Sequence, residues 1–135
     1  MKSFDRLVKV IERLRSPKGC PWDRKQTHET LLKYLFEESK EFKQAVRRRD
    51  YANMQEELGD LLLQVVLHSQ LAQEKRRFSI EDVVEDQIRK LTLRHPHVFG
   101  FTAEHRKLLK GRNFKTEKDV MLSWKILKKI SKNKI

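Results

Sequence analysis

The chain has 135 residues, 38% apolar and 37% charged, with a formal net charge of +12, four glycines and three prolines. A chain of about this size buries roughly two-thirds of its unfolded surface, enough for a core without disulfides, and heavy charge with scarce Gly and Pro excludes a turn-rich β fold. The single Cys20 excludes an internal disulfide and an all-Cys zinc site and suits a reducing compartment, and no apolar run approaches the ~20 residues of a membrane span. Asp5, Arg6 and Glu12 interrupt any signal-peptide core, so a cytoplasmic protein with no membrane partner is expected.

Five helices are predicted in chain order. Phe4, Leu7, Val8, Ile11 and Leu14 fall on one face of the first, which Ser16-Pro17-Lys18-Gly19 ends. Cys20-Pro21-Trp22-Asp23 reads as a loop. The second helix is expected from about Thr30 to Arg48, with Leu31, Leu35, Phe42 and Val46 as its stripe. The third runs from about Tyr51 to Lys75, and its centre, Leu58 to Leu71, is apolar on nearly all sides. That pattern demands burial on several sides, within a bundle or a dimer. Ser79-Ile80-Glu81-Asp82 has the form of a capping box and opens a fourth helix bearing Ile80, Val83, Val84, Ile88 and Leu91, closed at His95-Pro96. Thr116-Glu117-Lys118-Asp119 opens a fifth, with Val120, Trp124, Leu127 and Ile130 on one face. Residues 100–115 read as a basic connector without a period. No strand alternation or internal repeat occurs. The fold class is all-α, a single domain over 1–135 whose basic C-terminal segment starts at about 101.

Several acids sit beside apolar faces. At about 100° per residue from Leu35, Glu38 falls at about −60°, inside the apolar arc, Glu41 at about −120° on its border and Glu37 at about −160°. Measured from Leu58 on the third helix, Met54, Leu61 and Val65 form a stripe, with Glu57 at about −100° and Asp60 at about −160°. Two helices thus each offer a pair of acids at i, i+3 beside the surface they bury. An ionised carboxylate buried without a partner costs several kcal/mol. Either Lys33, Lys40 or Arg47 reaches in to compensate, or a divalent cation does; spacing alone leaves both open. Oxygen ligands without Cys or a His pair select Mg²⁺ or Mn²⁺ over zinc, and bundle cores build metal sites from carboxylates on facing helices.

Longer motifs narrow the reading. Leu14-Arg-Ser-Pro-Lys-Gly-Cys-Pro-Trp-Asp23 leads into Gln26-Thr-His-Glu-Thr-Leu-Leu32; Glu37-Glu38-x-x-Glu41 and Glu57-Leu-Gly-Asp60 follow, then Lys90-Leu-x-x-Arg94-His-Pro-His-Val-Phe-Gly100. Over residues 4–100, and again around Trp124, the chain resembles the MazG family of nucleoside triphosphate pyrophosphohydrolases. The resemblance implies that Glu38, Glu41, Glu57 and Asp60 ligate Mg²⁺, with Mn²⁺ as a substitute, and that Glu37, the remaining acid, orients a water or a second metal. Metal binding lowers the pKa of a coordinated water, whose proton either Glu37 or Glu41 is placed to accept. It also implies that Lys90 and Arg94 hold the triphosphate, and that Trp124 and Lys128 contact base and phosphate. Family members cleave (d)NTPs between the α and β phosphates to monophosphate and pyrophosphate, in nucleotide-pool house-cleaning among other roles. They work as homodimers whose subunits complete a four-helix-bundle-like core. This chain departs from the family pattern at Leu93, where a second Arg is frequent, and at Lys125, Lys128, Lys129, Lys132 and Lys134, which make the segment after Trp124 basic.

That basicity supports a competing reading. Residues 89–135 hold 14 lysines and arginines against three acids, whereas residues 1–88 hold 17 against 16. A basic arm of this kind suits phosphate-bearing partners, so a nucleic-acid-binding module, with its acids structural, is the alternative to the enzyme; a related pyrophosphohydrolase acting on another nucleotide is a third reading. His95 and His97 are expected to serve the helix end, His68 a local hydrogen bond and Trp22 the packing of its loop, while Cys20 has no partner that would make it a nucleophile.

Overall fold

The computed structural model describes residues 1–133; Lys134, counted above in the basic run, and Ile135 lie outside the described residues. The described residues form eight helices and no strand: α1 (Lys2–Leu14), α2 (Pro21–Lys25), α3 (His28–Arg48), α4 (Tyr51–Glu74), α5 (Ile80–Arg94), α6 (Pro96–Phe99), α7 (Ala103–Leu108) and α8 (Glu117–Lys132). The five long ones are those that periodicity predicts, so the all-α expectation holds. The three short ones replace expected loop. Pro21 and Pro96 each stand at the first turn of a short helix, where a fixed φ and a missing N–H cost nothing. α7 starts from a capping box in which the Thr102 hydroxyl accepts from the His105 N–H and the His105 ring returns a bond to the Thr102 N–H.

The chain divides into two compact units, the first spanning Met1–Ile80 and the second starting at Glu81. In the first, α3 and α4 pack along each other and α1 lies against α4. Ile11, Leu31, Val66, Leu67 and Leu71 make its core, with Phe4, Leu7, Val8, Tyr34, Leu63 and Ile80 around them. The predicted stripe of the first helix is therefore its buried face. For α4 the outcome differs. Val66, Leu67 and Leu71 face the core, whereas Leu58, Leu62 and Val65 are 50%, 39% and 44% exposed. A helix apolar all round has more faces than α1 and α3 cover, so Leu58 and Val65 of the stripe measured from Leu58 are left bare within this unit, whereas its Met54 and Leu61 are half-buried. On α3, Leu32 and Phe36 are exposed as well.

Two local devices shape the first unit. The turn after α1 folds back on that helix, with the Cys20 N–H donating to the Leu14 carbonyl at 2.9 Å. A Cβ at Gly19 would collide with the Arg13 and Leu14 carbonyl oxygens, so only glycine fits there. Arg15 then ties the turn down, pairing with Glu74 at the end of α4 at 2.6 Å while donating to the carbonyls of Asp23 and Gln26. This fixes the entry to α3, whose first turn is capped by Thr27 and Thr30. α3 gives way to α4 through Arg49, in the left-handed region, and Asp50, whose carboxylate accepts from the Asn53 N–H at 3.1 Å.

In the second unit α7 packs on α8, and Leu109, His105, Leu127, Ile130 and Ser131 are buried. Arg89 donates to the Ser131 carbonyl at 2.7 Å and Arg94 Nε to the Ser131 hydroxyl at 2.9 Å, joining α5 to α8. His105 Nε2 donates to the Leu93 carbonyl at 2.6 Å, linking α7 to the end of α5. Thr116 and Asp119 form the capping box predicted for α8.

Candidate functional site

A short connection between α3 and α4 makes them antiparallel neighbours, and this brings acids 16 or more residues apart in sequence together. One carboxylate oxygen each from Glu38, Glu41 and Glu57 lie within 4.8 Å of one another. Glu57 is buried at 7% exposure, Glu38 half-buried and Glu41 exposed, so the cluster opens to solvent on the Glu41 side. Asp60 stands outside this trio but close enough for its charge to raise the pKa of both Glu38 and Glu57. Glu37 is exposed on α3.

The electrostatics are those of uncompensated negative charge. Burial, then contact with Glu57 and the charges of Asp60 and Glu41, push the Glu38 carboxyl up from 4.5 to about 8. Glu57 is raised too, burial again leading. Glu38 Oε2 and Glu57 Oε2 are buried and accept no hydrogen bond among the described residues. Lys33, Lys40 and Arg47, the cations that could have neutralised the acids, form no ion pair among the described residues; Lys33 instead lies over the Tyr34 ring. Orphaned buried oxygens on a set of hard carboxylate donors fit a divalent cation of the Mg²⁺ or Mn²⁺ type.

The expected substrate residues belong to the second unit. Arg94 lies over the face of Trp124, 5.8 Å from its ring centre, and its Nε is committed to Ser131. Both Nη groups are without a protein partner among the described residues. Lys90 is half-buried one turn earlier on α5, and Lys128 is exposed one turn after Trp124 on α8. The residues singled out in the sequence thus form two groupings, the acids in one unit and the Arg94–Trp124 pair in the other. Of the remaining residues, His95 Nδ1 donates to the Leu91 carbonyl at 2.7 Å, a bond that serves the end of α5, and its ring meets Trp124 edge-on. His97 stacks on Phe114, and its Nδ1 is buried without a hydrogen-bond partner among the described residues. Trp22 packs edge-on against Tyr34, and Cys20 is a free, half-buried thiol.

One pair escapes a reading of the sequence. His28 at the start of α3 and His68 on α4 are stacked, with their Nδ1 atoms 2.7 Å apart, so they share one proton across the helix pair. Burial, with the nearby His28, lowers the His68 pKa from 6.5. His68 was expected to make a local bond; its partner is 40 residues away, beyond the reach of any periodicity.

These features define an all-α protein with a carboxylate cluster built across an antiparallel helix pair. The family model of the MazG nucleotide pyrophosphohydrolase domain matches residues 26–99, which span both acid pairs and the Lys90–Gly100 motif up to Phe99. The chain is 47% identical over 129 residues to a nucleoside triphosphate pyrophosphohydrolase/pyrophosphatase MazG of Thermotoga maritima, covering 96% of this chain and 48% of that protein. It is 46% identical over 101 residues to the nucleoside triphosphate pyrophosphohydrolase of Escherichia coli strain K12, covering 74% of this chain and 38% of that one. The crystal structure of a mazG-related protein from Thermotoga maritima superposes with a TM-score of 0.70 at 31% identity, over 93% of this chain and 98% of that one. The chain belongs to the MazG family. It spans about half the length, or less, of these curated relatives.

Proposed function

We propose that this chain is a Mg²⁺-dependent nucleoside triphosphate pyrophosphohydrolase, cleaving (d)NTPs between the α and β phosphates to release monophosphate and pyrophosphate. The observation that carries the reading is the Glu38–Glu41–Glu57 cluster with its two orphaned buried oxygens, in a chain whose relatives bear that activity in their names. Glu38, Glu41, Glu57 and Asp60 would hold the ion. When bound, a divalent cation supplies positive charge against the carboxylates and the phosphate oxygens.

The chain's own residues do the rest. Lys90 and the Nη groups of Arg94 offset the negative charge that builds on departing pyrophosphate. Trp124, with Arg94 over one face and a T-shaped contact with His95, is held as a wall for the base, and Lys128 adds a phosphate contact. Glu41, the solvent-facing member of the trio, accepts the proton of the attacking water, with exposed Glu37 beside it as the other acceptor. Water oxygen bonds to the α phosphorus as the bond from that phosphorus to the α–β bridging oxygen breaks. Hydrolysis in ¹⁸O-labelled water therefore places the label in the monophosphate; label in pyrophosphate would overturn this assignment.

The working unit is proposed to be a homodimer. The bare apolar surface of Leu58, Leu62 and Val65 on α4, with Leu32 and Phe36 on α3, is the kind of face a second copy covers. A cytoplasmic house-cleaning role accords with the proposed chemistry, and among the described residues no helix is long and apolar enough to cross a membrane.

A further inference from the structure

The solvent face of α8 is lysine. Taken at about 100° per residue, Lys118, Lys128, Lys129 and Lys132 all fall within about 60° of Lys125, together with Met121 and Leu122. All seven are exposed. The opposite face holds the buried Ser123, Leu127, Ile130 and Ser131 and packs into the second unit. Among the described residues none of the five lysines forms an ion pair, and α8 has no acid after Asp119. From Lys118 to Lys132 the stripe runs about 21 Å along a straight helix.

We propose that this stripe is a docking surface for the phosphate backbone of duplex nucleic acid, bound without regard to sequence; of its five lysines only Lys128 is shared with the nucleotide contacts proposed above. Duplex DNA carries one negative charge per about 1.7 Å of axis, a density that a rigid row of unpaired ammonium groups matches. Two other anionic partners fit less well. A membrane surface would require a broad apolar face free to enter the lipid boundary, and the apolar face of α8 is spent on the core. A single strand would call for aromatic platforms on which bases stack; the exposed stripe offers none, since Trp124 lies round the side of the helix, about 100° from Lys125.

The test is fluorescence anisotropy of a labelled 20-base-pair duplex, in EDTA so that the carboxylate cluster plays no part, with salt varied from 50 to 200 mM. With five lysines on phosphates, the slope of log affinity against log salt is about −4.5, a loss of about 500-fold across that range. Lys125→Gln/Lys129→Gln/Lys132→Gln reduces the slope to about −1.8, a loss of about 12-fold, while thermal unfolding and nucleotide turnover stay at wild-type values. Vesicles containing phosphatidylserine bind far more weakly than the duplex. Absence of duplex binding at 50 mM salt, an unchanged slope in the triple variant, or tighter binding to the vesicles than to DNA would each overturn the proposal.

Discussion

Replacing Glu38 by glutamine keeps the shape of the side chain and removes the charge that this fold tolerates least. The carboxyl is raised from 4.5 to about 8 by burial and by its acidic neighbours. A group raised in this way contributes its full stability below about pH 4.5, and the contribution is lost as pH rises through about 8. Such a shift would be worth about 5 kcal/mol in a site sealed from water. Glu38 is only half-buried, and solvent screening reduces the expectation to about 1–2 kcal/mol. In EDTA, Glu38→Gln should match wild type near pH 4 and become the more stable protein as pH rises, by about 4–8 °C in Tm at pH 8. Added Mg²⁺ or Mn²⁺ should then raise the wild-type Tm and leave the variant nearly unmoved, because binding to the native state stabilises by mass action. The assay is differential scanning fluorimetry across pH with and without metal. A variant less stable than wild type at pH 8 in EDTA, or equally shifted by metal, would show that Glu38 holds the fold and not an ion.

Further tests address the frame around the cluster. Arg15→Ala strips Glu74 and two backbone carbonyls of their shared partner and should cost about 2 kcal/mol by urea unfolding, with Arg15→Lys recovering only part because an ammonium cannot span all three acceptors; wild-type stability in the alanine variant would remove the clamp from the account. His68 has its pKa lowered below 6.5, so the stability it contributes is present above that pH and lost as pH falls further. Wild type should therefore lose Tm below pH 6.5 more steeply than His68→Phe, and parallel curves would refute the role of the His28–His68 pair. Light scattering should give twice the chain mass for wild type and a smaller species for Leu58→Glu/Val65→Glu; a monomeric wild type would contradict the proposed dimer.

The acids were legible because helical spacing places Glu38 inside an apolar arc and Glu57 at its edge, and a charge in that position demands an explanation. The five long helices were legible for the same reason, with periodicity running over many residues. What periodicity could not supply was the choice of buried face on α4. With apolar residues on all sides, Leu58–Leu62–Val65 and Val66–Leu67–Leu71 are equivalent in a wheel, and only the placement of α1 and α3 decides which is covered. The Arg15–Glu74 clamp joins residues 59 apart and the His28–His68 pair residues 40 apart, and neither leaves a local signal. α7 is six residues long and its capping box uses His105 in place of the usual Glu or Gln, so both its length and its cap lie outside the common pattern.

The most direct measurement is product analysis after incubating the purified protein with Mg²⁺ and each of the common NTPs and dNTPs. The account predicts monophosphate and pyrophosphate in equal amounts, with turnover abolished by EDTA and by Glu57→Gln. Diphosphate with inorganic phosphate, or turnover that survives the loss of Glu57, would contradict it.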